Sequence, residues 1–134
     1  LLSLKRYNNT HRFNFIIMSN INISQLDQID KREIVNALNK HIENLLVLIK
    51  NSNGGQEAME YALNLVFTGR ALGLISNDDT FKAEEKLQII FALNEKLKFG
   101  KNRLALSSQL DDDYGDIAWK HITKHLEELI NKLK

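Results

Sequence analysis

The chain has 134 residues, of which 43% are hydrophobic, and a formal net charge of +1. A chain of this length fits one domain that buries about two-thirds of its unfolded surface. The absence of cysteine excludes disulfides, thiolate catalysis and cysteine-ligated zinc, and it is typical of a protein in a reducing cytoplasm. We therefore expect a cytoplasmic protein.

The N-terminal segment differs in charge from the rest of the chain. Residues 1–17 contain three basic and no acidic side chains, whereas residues 18–134 carry a net charge of −2. Met18 followed by Ser19 resembles an ordinary bacterial start, so we interpret residues 1–17 as an upstream extension. We predict a poorly ordered extension over 1–20 and one helical domain over 21–134. Polar residues interrupt the uncharged run 13–26, so it predicts neither a signal peptide nor a membrane span.

Proline and glycine usage indicates the fold class. The chain contains no proline, and five of its six glycines lie between apolar stretches. Proline costs about 3 kcal/mol inside a helix and glycine about 1 kcal/mol, so this pattern favours long helices separated at glycines. We predict an all-α protein, a compact bundle of about four antiparallel helices at 30–51, 56–72, 77–98 and 116–133 with a flexible N-terminal arm.

The first predicted helix has one clear apolar face. Asp30 and Glu33 have the spacing of a capping box, which places the start of the helix at Asp30. Positions 45–49 are apolar all round, so this end is expected in the core or in an interface. Gly54 and Gly55 are expected to end the helix. Its core positions recur at helical spacing: Ile34, Leu38, Ile42, Leu45 and Ile49.

The later joints are predicted at two further glycines. Gly73 is expected to close the second helix, and Ser76 to cap the third. The third helix is expected to stop before Gly100, which leaves a long connection to Gly115, with a short helical turn over 104–110 as an alternative to an open loop. The fourth helix has a seam with strict three-four spacing that predicts core packing, or docking on a second copy or a partner: Trp119, Ile122, Leu126, Leu129 and Leu133.

The densest charge cluster follows the third helix. Its spacing does not fit a calcium loop, because Leu110 and His121 would occupy ligand positions. The acids are expected to cap the fourth helix or to form a negative patch that binds a basic partner, with Tyr114 as an anchor. The candidate partner-binding residues are Asp111, Asp112, Asp113, Tyr114 and Asp116, together with Asp78 and Asp79.

Histidines supply the remaining candidate chemistry. His121, His125 and Glu128 share one helix face, which leaves a transition-metal site open as an alternative to an ordinary surface face. No glutamate follows His121, so the metalloprotease motif is absent. His41 flanks the apolar face of the first helix and is expected to be a half-buried spacer. We expect no cofactor and no catalytic residues, since no serine lies in a glycine-framed elbow and no phosphate loop is present.

A DNA-binding interpretation has limited support. The segment 70–76 resembles the turn of a helix-turn-helix, but the following helix would open with Asp78 and Asp79, which repel phosphate. Nucleic-acid binding through the basic N-terminal arm, or through the cluster Lys96, Lys98, Lys101 and Arg103, is therefore an alternative rather than our expectation.

The favoured function is protein binding without catalysis. A compact helical protein without cysteine or cofactor is typical of bacterial or phage immunity proteins, antitoxins and inhibitors. We expect its acidic residues to cover a basic site on a partner such as a toxin or nuclease. The alternatives are a nucleic-acid-binding or regulatory helical protein and a homodimeric structural module. Fold alone does not decide among these functions.

Overall fold

The computed structural model describes residues 26–134, so the predicted arm and upstream extension lie outside the described residues. Within residues 26–134, four α-helices follow one another: α1 (Gln28–Asn51), α2 (Gly55–Ser76), α3 (Ala83–Gln109) and α4 (Asp113–Leu133). For this described part of the chain, the predicted all-α class with four helices is confirmed.

The start of α1 differs from the prediction. Its N-cap is Asp27, whose side chain accepts a hydrogen bond from the backbone N–H of Asp30 at 2.7 Å. Asp30 is buried and accepts a hydrogen bond from Lys132 Nζ at 2.9 Å, and Glu33 accepts one from Lys96 Nζ at 2.8 Å. The predicted cap at Asp30 is wrong, because Asp27 caps the helix one turn earlier. Asp30 instead links α1 to α4, and Glu33 links α1 to α3.

One of the predicted glycine joints is confirmed between α1 and α2. Gly54 and Gly55 have φ values of 79° and 72°, a backbone region that other residues rarely adopt. Gly73, in contrast, lies inside α2, which continues to Ser76. The Ser76 hydroxyl donates to the Leu72 carbonyl oxygen at 3.0 Å and does not cap α3. The Gly73 joint is therefore wrong, and the helix-turn-helix is excluded because segment 70–76 is continuous helix.

The predicted long connection before α4 is mostly helix. α3 continues through Gly100 to Gln109, which leaves residues 110–112 as the loop. A Cβ atom at Gly100 would lie 3.0 Å from Thr123 Cγ2 and 3.8 Å from Trp119 Cε3. Glycine thus lets α4 approach α3 closely, and this packing offsets the weak helix propensity of glycine.

The fourth helix agrees best with its prediction. Asp112 is the N-cap, and its side chain accepts a hydrogen bond from the Gly115 N–H at 3.0 Å, which confirms that acids cap this helix. Leu126, Leu129 and Leu133 are fully buried in the core. Burying each of them contributes about 2 kcal/mol before entropy costs are counted. The C-terminal part of the seam is therefore core and is not available to a second copy.

The core forms where two helical hairpins, α1–α2 and α3–α4, meet. α1 and α3 run in opposite senses at their contact, since Glu33 binds Lys96 and His41 binds Gln88. The core residues come from the first half of α1, the end of α2, the first half of α3 and the end of α4, and from the segments just before α1 and α3: Leu26, Ile34, Ala37, Leu38, Ala71, Ile75, Phe81, Ile89, Ala92, Leu93, Leu126, Leu129, Ile130 and Leu133.

Both hairpins extend beyond this core. No residue is buried between 46 and 67, which we call the α1–α2 tip. Between 101 and 122, the α3–α4 tip, Ser107 is the single buried residue. Leu46, Val47 and Leu48 are exposed, so the expectation that the end of α1 is buried in the core is wrong, while the interface alternative stays a prediction.

Candidate functional site

The acidic cluster lies at the end of the α3–α4 tip. Asp111 has a φ of 52°, in the left-handed region that turns the chain from α3 into α4. Asp112 is used as the cap of α4. Asp116 accepts hydrogen bonds from the hydroxyls of Ser107 and Ser108, each at 2.9 Å. Two of the four predicted aspartates therefore hold the tip together.

The remaining candidate acids, Asp78 and Asp79, lie outside the 111–116 cluster. Asp78 pairs with Lys31 at 2.7 Å, and the Asp79 carboxylate accepts the backbone N–H of Thr80 at 2.8 Å. Both lie in the connection before α3, whereas the 111–116 cluster follows the end of α3. A helix of 27 residues is about 40 Å long, so the candidate residues form two separate acidic groups.

Exposed apolar side chains surround the acidic loop at the α3–α4 tip. The exposed fraction is 41% for Leu106, 69% for Leu110, 89% for Tyr114 and 70% for Ile117. We call these four residues the tip face. Asp111 and Asp113 are exposed between Leu110 and Tyr114 along the chain. Grouped apolar exposure with a charged rim is typical of interaction surfaces.

The α3 part of the tip face continues a stripe that α1 covers. Positions 92, 96, 99, 103, 106 and 110 alternate in steps of four and three, which keeps them on one helix face. Ala92 is buried in the core, and Lys96 pairs with Glu33 of α1. Leu106 and Leu110 lie further along this stripe and are exposed.

Tyr114 belongs to a matching stripe of α4. Positions 114, 118, 121 and 125 follow the same spacing, and His125 Nε2 at its inner end lies 3.7 Å from Asp30 Oδ1 of α1. The α3 stripe therefore runs from beneath α1 out to the tip, and the α4 stripe runs there from the contact between His125 and Asp30. The tip face has no intramolecular partner among the described helices.

Close packing makes the tip a defined structure rather than an open loop. Gly115 lies so near α3 that an added Cβ would be 2.8 Å from Ser107 Cβ. The hydroxyls of Ser107 and Ser108 both donate to Asp116, which fixes the first turn of α4 against the last turn of α3. Tyr114 and the adjacent acids are thus presented in one arrangement.

The basic residues near the tip already have partners. Lys101 Nζ is 3.4 Å from Glu127 Oε1, and the Arg103 guanidinium lies 5.9 Å from the Trp119 ring centroid. Trp119 also makes an edge-to-face contact with Phe99, at 5.9 Å between centroids. With Lys96 bound to Glu33, most of the predicted basic cluster is used in intramolecular contacts.

The predicted histidine trio is not assembled as a metal site. His125 is directed toward Asp30 in α1, and its Nε2 is buried without a hydrogen-bond partner. Among residues 26–134, no group of three or more His, Cys, Asp or Glu side chains is placed to hold a metal ion. His41 is buried rather than half-buried, and it binds Gln88.

Sequence patterns do not reveal the apolar part of the site. A predicted helix end at residue 98 places Leu106 and Leu110 in a connection. Helical spacing does not identify a common face outside a helix, so these two residues are not recognised as part of one. The continuous spacing from Ala92 to Leu110 is the signal that identifies them, provided that Gly100 is allowed inside a helix. Ile117 lies within the predicted fourth helix but outside its apolar seam, so the seam does not identify it.

Comparisons with protein-family models, curated proteins and solved structures found no match. None of the helices within residues 26–134 is long and apolar enough to cross a membrane. Function therefore has to be inferred from the chemistry of the site itself.

Proposed function

We propose that this protein is a small non-enzymatic binding module of the immunity, antitoxin or inhibitor type, whose α3–α4 tip covers a basic site on a partner protein. The supporting observation is the exposure of Leu110, Tyr114 and Ile117 beside Asp111 and Asp113. Aromatic and aliphatic anchors within a charged rim are the usual arrangement of binding hot spots.

The charge of the tip defines the chemistry of the partner. Asp111 and Asp113 make no side-chain hydrogen bond or ion pair with any other residue of the described part, so both carboxylates are available to a ligand. A complementary surface has an apolar pocket for Tyr114 surrounded by lysine or arginine. A toxin or nuclease with a basic active site fits this description, because its cationic groups attract the acidic rim.

The rigidity of the tip favours binding. Ser107, Asp112, Gly115 and Asp116 lock the loop in place through the contacts described above. A surface that is ordered before binding loses less conformational entropy on association than a flexible loop does. Tyr114 has only two side-chain torsions to fix, so it suits the role of an anchor.

Affinity capture with matched variants tests this proposal. The immobilised wild-type chain is compared, in extract of the source organism, with Tyr114→Gln/Ile117→Gln at the α3–α4 tip and Met59→Gln/Val66→Gln at the α1–α2 tip. We expect the wild type and the α1–α2 variant to retain the same basic protein and the α3–α4 variant to lose it. Equal retention by all three chains contradicts the proposed surface.

The acidic rim is tested on association kinetics with the captured protein. Asp111→Asn/Asp113→Asn leaves the Asp112 cap intact, so it removes charge without disturbing α4. We expect slower association at low salt and little change in dissociation, because rim charges act mainly by steering. An unchanged association rate contradicts a role for these two acids.

The two alternative functions, a homodimer and a nucleic-acid-binding protein, predict different experimental results. A homodimer gives a mass that doubles with concentration in sedimentation experiments, and the α3–α4 variant then abolishes the doubling. Nucleic-acid binding gives an affinity that falls steeply with salt and is weakened by removal of residues 1–17. Either result, without a captured basic protein, replaces the inhibitor proposal.

A further inference from the structure

A groove between α1, α2 and α3 is separate from the tip face. Its two adjoining cavities have volumes of about 480 and 360 Å³ and share His41, Asn44 and Glu95. Cavities of this size accommodate small molecules. The groove is lined mainly by apolar atoms, with a few polar groups near its centre.

A hydrogen-bond chain fixes the chemistry at the floor of the groove. Gln88 Nε2 donates to Asn64 Oδ1 at 3.2 Å, which leaves Gln88 Oε1 to accept a hydrogen bond from His41 Nε2 at 2.8 Å. With Gln88 in this orientation, the ring proton of His41 is assigned to Nε2. Its other ring nitrogen, Nδ1, makes no hydrogen bond with a described residue and keeps a lone pair that can accept one.

The surroundings of His41 keep the ring neutral. Burial lowers the pKa of His41 from its usual 6.5, and this effect outweighs the hydrogen bond that His41 donates to Gln88 and the charge of Glu95, which both raise the pKa. The ring also packs against Phe91, with 5.1 Å between centroids. An uncharged imidazole at neutral pH offers an acceptor rather than a second cation.

The rim of the groove places an acid between two phenyl rings. Phe91, Glu95 and Phe99 follow one another at intervals of one helical turn on α3, and both rings are about half exposed. Glu95 has no ion-pair partner among residues 26–134.

The two lysines beside Glu95 are already paired. Lys40 Nζ lies 3.4 Å from Glu43 Oε2, and Lys96 Nζ lies 2.8 Å from Glu33 Oε2. The unpaired charge of the groove is therefore the carboxylate of Glu95.

We propose that this groove binds a small primary amine with an aromatic body, whose ammonium group donates hydrogen bonds to Glu95 and to His41 Nδ1 while its ring packs against Phe91, the ring beside His41. A primary ammonium has the donors for two acceptors at once, and phenyl faces attract a cation in addition to their apolar contact. A carboxylate ligand of the same shape is repelled by Glu95.

Titration of the full chain by NMR tests this site with defined probes. Phenethylammonium is compared with 3-phenylpropionate, which has a similar aromatic body but the opposite charge. We expect phenethylammonium to cause saturable shifts of the Phe91 ring signals and of the His41 Nδ1 resonance. The carboxylate should cause none at the same concentrations.

Two variants separate the site from a nonspecific charge effect. Glu95→Gln should weaken phenethylammonium binding about tenfold, the loss of one charge-assisted hydrogen bond. Glu128→Gln removes the same charge from α4 outside the groove and should leave binding unchanged. The proposal is overturned if both probes bind equally, if both variants behave alike, if no signal shifts, or if the His41 proton is found on Nδ1.

Discussion

At the scale of single residues, Gly115 shows how tightly α3 and α4 meet at the tip. A Cβ atom there would lie 2.5 Å from Asp112 Oδ2 and 2.8 Å from Ser107 Cβ. Asp112 caps α4 and Ser107 donates to Asp116, so neither can move away without losing a hydrogen bond. Glycine is required here by packing, since its φ is not in the left-handed region.

Substitution of Gly115 is expected to destabilise the protein. Gly115→Ala should lower the free energy of unfolding by about 1–3 kcal/mol, the usual cost of overpacking. The matched control is Gly73→Ala, inside α2 with no atom within 4 Å of the added Cβ, which should raise it by about 0.5–1 kcal/mol. Urea unfolding of both variants measures the difference, and equal effects contradict this packing.

His41 should make stability depend on pH. Because its pKa is lower in the folded chain than the usual 6.5, the unfolded chain binds the proton first as the pH falls. The free energy of unfolding should therefore decrease on acidification from pH 7 through 6.5, down to the folded-state pKa. Urea unfolding at several pH values should show a smaller decrease for His41→Gln, whereas the exposed control His121→Gln should retain it. An unchanged slope in His41→Gln contradicts this assignment.

At the scale of helices, glycine has three different structural effects in this chain. Gly54 and Gly55 break the helix because their positive φ values suit no other residue well. Gly73 remains helical because a cost of about 1 kcal/mol does not stop a long helix. Gly100 remains helical because it lets Thr123 and Trp119 approach. Sequence predicts that helices dominate, but only tertiary contacts distinguish these cases.

The cap of α4 offers a test at the same scale. Asp112→Ala removes the acceptor of the Gly115 N–H and should lower the free energy of unfolding by about 1 kcal/mol. Asp112→Asn keeps an acceptor oxygen and should stay within about 0.5 kcal/mol of the wild type. Thermal or urea unfolding distinguishes them, and equal losses would show that charge rather than capping is what matters at this position.

The candidate site was predictable in part at this scale. The acidic residues of 111–116 and Tyr114 are visible in the sequence, and their position next to α4 follows from capping preferences. Their apolar neighbours depend on where α3 ends, which in turn depends on Gly100. The separation of Asp78 and Asp79 from the tip also follows only from the full length of α3.

At the scale of the whole molecule, the core stabilises the fold and the tips are exposed. The buried side chains gather where the two hairpins meet, and Leu129 is among the most deeply buried. Leu129→Ala should therefore cost about 2–5 kcal/mol of unfolding free energy. Urea unfolding measures this loss, and a value near zero would contradict the position of the core.

We expect the tip face to be unnecessary for folding and therefore free to bind a partner. The most direct measurement is urea unfolding of a chain with Leu106→Gln, Leu110→Gln, Tyr114→Gln and Ile117→Gln together. Glutamine suits a helix and removes the apolar surface. We predict a free energy of unfolding within about 1 kcal/mol of the wild type, because exposed substitutions have small effects. A loss of several kcal/mol would show that these side chains belong to the core and are not a free binding surface.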